Sequence, residues 1–195
     1  MKYTKLMLAD LALVTLLAAC GGGDGTGTTS TSAGTTDSTT TTSVAPDFPN
    51  LKACVTNNWF MSSDQLLRGV QALGSGSGVN FTATGSQTAA FSSDATYRNT
   101  YLDFTVNFTS GSTSGTSRYA GSVGGTWSVD GDWLTITQTS SSATVTTTIA
   151  GVSSTTPVPI GTPSTLKVIS CTPATLTYDQ TLSTGAVVRI VLVTG

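Results

Sequence analysis

After residue 78, apolar and polar positions alternate along most of the chain. That period of two predicts antiparallel strands with one buried face. The clearest run is Asn99 to Phe108. Leu102, Phe104, Val106 and Phe108 fall on one side, and Tyr101, Asp103, Thr105 and Asn107 on the other. A shorter strand around Val79, Phe81 and Ala83 precedes it, and Ser93-Asp94-Ala95 reads as a turn. Further on, Asp130-Gly131 is a type I′ hairpin signal between two apolar arms. It puts Val129 opposite Asp132, Trp127 opposite Leu134 and Gly125 opposite Ile136. Trp127, Leu134 and Ile136 then share the buried face, and Trp133 points outward. Gly121, Gly124 and Gly125 in the first arm predict a bulge, a bend or a close backbone approach.

Ala143, Val145, Thr147 and Ile149 alternate again, ahead of a connection rich in proline. Leu166–Cys171, Thr175–Tyr178 and Ala186–Val193 complete the series. The last is apolar on both faces, so it is expected at the centre of a sheet or covered on its second side. Serial hairpins of this kind give about eight to ten strands and mean a sandwich or an up-and-down barrel.

One stretch follows a different period. Leu66, Val70 and Leu73, with Leu67 beside them, make an apolar stripe at helical spacing. Ser62 is a good N-cap with Gln65 as its capping-box partner, and Gly74 is the stop. This helix is expected to pack over one end or face of the sheet, or to serve as a lid on a cavity. Ahead of it, Leu51 to Met61 supplies an apolar anchor containing Cys54, Trp59 and Phe60.

The N-terminus is not part of that folded unit. Lys2 and Lys5 precede an apolar run from Leu6 to Ala19, broken by Asp10 and Thr15. The run is shorter than the about 20 apolar residues that span a bilayer and reads as a secretory signal. Residues 20–45 are mostly Gly, Ser and Thr. Such a segment cannot bury enough apolar surface to offset its ordering entropy. As a tether of roughly 25 residues it would span about 25–30 Å. The domain boundaries are therefore 1–19 for the signal, 20–45 for Cys20 and linker, and 46–195 for the folded domain.

Leu17-Ala18-Ala19-Cys20 resembles the lipobox of bacterial lipoprotein signals. The resemblance implies cleavage before Cys20, diacylglycerol on its thiol and acylation of the freed amine. The domain would then be anchored to a membrane of the bacterial cell envelope. Gly21, where Asp would resemble a retention signal, points to the outer membrane in a host with two membranes.

Composition narrows the chemistry. The chain has no His and no Glu. This removes the histidine-based triads and dyads and the commonest zinc ligand. Enzymes using paired carboxylates remain conceivable, but most Asp here sit at predicted turns, so no enzyme activity, cofactor or metal is expected. Asp130 and Asp132 are explained by their turn without calcium, which normally takes six or more oxygens. After Cys20, six cations face nine Asp. That sparse, acidic balance excludes a nucleic-acid partner. With Cys20 assigned to lipid, Cys54 and Cys171 are left as a pair, and an exported pair reads as a disulfide.

The folded part also resembles the lipocalin-like domains of small bacterial lipoproteins. Trp59 comes early, a helix follows it, hairpins run in series and Arg189 comes late. The resemblance implies an all-β, antiparallel up-and-down barrel with one short helix after the first strand. It also implies Trp59 packed against Arg189, although Asn57 stands where the family has Gly. Such a barrel can enclose a small apolar or amphipathic ligand, with Trp59, Phe104, Tyr119 and Trp127 as its lining. The same four aromatics would equally fill a solid core. Two functions follow, the first the expected one and the second its alternative. One is a membrane-anchored module for an apolar envelope molecule. The other is a structural or protein-interaction domain without a ligand.

Overall fold

The computed structural model describes residues 50–74 and 76–195. Cys20 and the segments expected to be the signal and the linker lie outside the described residues. Two helices and ten strands follow one another: α1 (Leu51–Val55), β1 (Asn58–Ser62), α2 (Ser63–Leu73), β2 (Asn80–Phe91), β3 (Thr96–Ser110), β4 (Thr113–Asp130), β5 (Trp133–Ser141), β6 (Thr144–Ile149), β7 (Val152–Pro157), β8 (Ser164–Cys171), β9 (Thr175–Thr181) and β10 (Val187–Thr194). Eight of the strands close into an antiparallel barrel in the order β3-β2-β1-β10-β9-β8-β5-β4, with β4 returning to β3. This is the expected fold class. The β6–β7 hairpin lies outside the ring and extends from the first half of β4.

A row of backbone irregularities bends three neighbouring strands at one level. In β3 the ladder to β4 shifts between Tyr101 and Thr105, and the ladder from β2 shifts between Thr84 and Ser86. Gly85, Asp103 and Gly121 all have positive φ there (78°, 53° and 91°). The bulge corrects the expected face of β3. Tyr97, Asn99 and Tyr101 point inward before it, and Phe104 and Val106 after it, while Leu102 is turned out to solvent. A single extra residue reverses the parity of a strand. Gly85 makes room for this, because a Cβ there would overlap the Asp103 carbonyl.

The β4–β5 hairpin differs from the expected register. Asp130 pairs with Trp133, so Gly131 and Asp132 occupy the centre of the turn, with φ +57° at Gly131. Glycine in the first central position suits a type II′ turn. Trp127 pairs with Ile136, and Val129 with Leu134. Each partner has moved by two, so face parity is kept, and Trp127, Leu134 and Ile136 are buried as expected. Trp133 lies outward, with the Lys167 ammonium 5.8 Å from its ring centre. The glycines of β4 do mark an irregularity: its ladder to β5 shifts between Gly124 and Gly125.

α2 seals a seam. β1 pairs with β10 only at Trp59–Thr194 and Phe60–Val193. Beyond them the Val191 amide donates to Gln65 Oε1 of α2 at 3.2 Å. Gln65 therefore completes the wall and forms no capping box, and Ser62 makes no side-chain cap. Leu66, Gly69 and Val70 face the barrel. β10 is flanked by β1 and β9, as expected of an interior strand, but its second face is not wholly covered: Val187 and Val193 stay exposed on its outer side.

Cys54 and Cys171 form the expected disulfide, with Cα atoms 6.1 Å apart. Cys54 sits in α1, ahead of the first strand. The bridge ties α1 to the end of β8, and the Trp59 indole donates to the Val55 carbonyl at 2.9 Å.

Candidate functional site

The barrel lumen is the first place to look. Phe104, Tyr119 and Tyr101 stack on one another there, with ring centres 5.4 to 6.5 Å apart. Phe91 lies edge-on to Trp127 at 5.5 Å, and the Trp127 indole donates to the Ser92 carbonyl. Trp59, Phe104, Tyr119 and Trp127 are at most 3 % exposed. They belong to one apolar cluster that includes Leu134, Ile136, Leu166, Val168, Leu176 and Leu192. Beneath α2, between Met61, Leu66, Gln87, Tyr178 and Ile190, a cavity of about 10 Å³ remains. That is room for about one water molecule.

The Trp59–Arg189 contact implied by the lipocalin resemblance is not formed. Val188 and Ile190 point inward, so Arg189 between them points outward. It makes a bidentate pair with Asp179 across the β9–β10 ladder, at 2.8 and 2.9 Å. Those bonds hold the Asp179 carboxyl below its usual range.

A polar layer crosses the lumen that pattern reading did not find. Gln87, Asn99 and Gln180 are buried among the aromatics. Asn99 donates to Gln87, which donates to the Met61 sulfur. The hydroxyls of Tyr97 and Tyr178 have no hydrogen-bond partner among the described residues. Burial pushes both phenols, and those of Tyr101 and Tyr119, above their ordinary pKa; Tyr101 reaches about 12. Alternation in β2 and β9 carried a signal here, since Gln87 and Gln180 fall at inward positions.

A second cavity is on the outside of the wall. A cleft of about 470 Å³ opens over β3, β4 and the end of β5. Its origin is local. Arg98 lies opposite Gly124 in one ladder and Gly124 opposite Ser140 in the next. Directly opposed residues share a face, so a residue without a side chain stands between a long one and a short one. Arg98 Nη2 donates to Ser122 Oγ at 3.0 Å. Ser122 and Ser142 hydroxyls lie 3.3 Å apart. Arg98 has no acidic partner among the described residues, unlike Arg118, Lys167 and Arg189. At the cleft's Thr96 end, Asp94 accepts from both the amide and the hydroxyl of Thr96, which lowers its pKa.

Among the described residues, no three His, Cys, Asp or Glu side chains converge to hold a metal. No protein-family model and no curated protein matches this chain.

Proposed function

We propose that this chain is a lipid-anchored, non-enzymatic protein of the bacterial cell envelope, held through Cys20. Its barrel acts as a solid, disulfide-stapled scaffold that meets its partners with the outer wall. The observation that carries this reading is the packing of Trp59, Phe104, Tyr119 and Trp127 inside the lumen, with about 10 Å³ left under α2. A closed barrel is compatible with a ligand-binding lumen. Drug-sized ligands, however, occupy pockets of about 300–1,000 Å³. An apolar guest would have to displace aromatic side chains from their contacts. Of the two functions left open by the sequence, the packing favours the interaction domain.

Tryptophan fluorescence of the full exported protein distinguishes the two. Titration with a panel of fatty acids and phospholipids is expected to give no saturable change. A saturable quench or blue shift that is mostly lost in Trp127→Phe would restore the apolar-ligand reading. The anchor is tested separately. Mass spectrometry should find acyl mass on an N-terminal Cys20 peptide, and Cys20→Ala should release the domain from the membrane. A free Cys20 thiol on an exported protein would overturn it.

A further inference from the structure

The cleft on the barrel wall has a chemistry of its own. Arg98 is exposed and spends one N–H on Ser122. A guanidinium carries five donors in a planar fork suited to carboxylate and phosphate groups. Ser140 presents a further hydroxyl across Gly124. Asp94 is the carboxylate at the rim, and it is committed to Thr96. That leaves the Arg98–Ser140 end donor-rich and positive, and the Thr96 end polar with a nearby negative charge. The volume of about 470 Å³ exceeds that of a bare oxyanion and suits one carried on a sugar-sized body.

We propose that this cleft binds a phosphate or sulfate ester of a saccharide, with the oxyanion over Gly124 between Arg98 and Ser140 and the sugar toward Ser122 and Ser142. Gly124 is required for the depth of the site, since a Cβ there would stand 2.9 Å from Ser140 Oγ. Its φ is not positive, so Ala can be placed there without backbone strain. The inference rests on reading the outer wall as the recognition surface. The two fail separately: lipid uptake in the lumen would overturn that reading and leave the cleft unaffected.

The test is amide NMR titration of the full exported protein at fixed ionic strength. The probes are mannose monophosphate, inorganic phosphate, inorganic sulfate and mannose. Saturable shifts at Arg98, Ser122, Gly124 and Ser140 are expected with mannose monophosphate. Inorganic phosphate and sulfate should shift the same amides more weakly, and mannose alone should shift them least. Arg98→Gln should weaken mannose monophosphate roughly tenfold or more, as loss of a charge-assisted bidentate contact does. Gly124→Ala, whose Cβ would push the Ser140 hydroxyl aside, should weaken mannose monophosphate and inorganic phosphate alike. Unchanged thermal unfolding would show that both variants fold. No saturable shift with any oxyanion, or equal affinity in Arg98→Gln, would overturn the proposal. Shifts centred on Arg118 or Arg189 would do so too. Vesicles containing phosphatidylinositol phosphate and a soluble sulfated dextran then separate a lipid-borne source from a polysaccharide one.

Discussion

At Gly85 the missing side chain is a condition of the fold. The residue has φ +78°, and its open side is occupied by the Asp103 carbonyl of the neighbouring strand. Gly85→Ala is expected to lower stability by at least about 1–2 kcal/mol from the left-handed backbone alone, with steric overlap adding to that. Denaturant unfolding measures it; a loss below about 0.5 kcal/mol would mean that the bulge relaxes freely. The tyrosines give a second measurable consequence. Tyr97, Tyr101, Tyr119 and Tyr178 all have folded pKa values above the ordinary value of about 10. The folded state therefore holds their protons more tightly than the unfolded chain. The resulting stabilisation is complete below about pH 10 and is lost as pH rises through the folded values. In an alkaline absorbance titration of the mature chain these phenols should stay protonated past pH 10 and ionise together with unfolding. Early ionisation in the native protein would contradict their burial.

At the level of elements, legibility followed local chemistry. Where a strand kept strict alternation, as in β9, its inward face was readable: Leu176, Tyr178 and Gln180 are buried. Where a bulge intervened it was not. Phe104, Val106 and Leu102 obey one period on paper, yet the extra residue at Asp103 turns Leu102 to solvent. Nothing local marks Asp103, because the glycine that tolerates its conformation lies in another strand. The same applies to Gln65. Its spacing from Ser62 suits a capping box, but the unpaired Val191 amide competes for its carbonyl from 126 residues away. Gln87 and Gln180 fall at inward positions of their strands, but Asn99 falls on the side of β3 that the pattern turns outward, and the wall cleft was not legible either. A depression across three strands depends on a ladder register that sequence periodicity does not specify.

Across the whole molecule, the helices and the disulfide close what the strands leave open. The Cys54–Cys171 bridge encloses a loop of 117 residues. Chain-entropy arguments give stabilisation of about 4–5 kcal/mol for so long a loop, and the loss of native bridges typically costs about 2–5 kcal/mol. The double variant Cys54→Ser, Cys171→Ser should fall in that range by denaturant unfolding. It should also loosen α1 before the rest, seen as faster amide exchange in residues 51–55. Uniform loss with no local effect would mean that the bridge acts on the unfolded chain alone. The function proposed for the wall follows from the same division of labour. The interior is committed to packing, which leaves the outer surface for recognition.

The pairing of β1 with β10 governs when the molecule can form. Trp59 and Phe60 meet Val193 and Thr194, so the ring cannot shut until residues separated by most of the domain have come together. Such non-local closure makes for high contact order and slow folding. A chain exported as proposed above would therefore cross the membrane before it could complete its barrel. It would remain threadable throughout the crossing, and its final strand would act as the latch that ends that state.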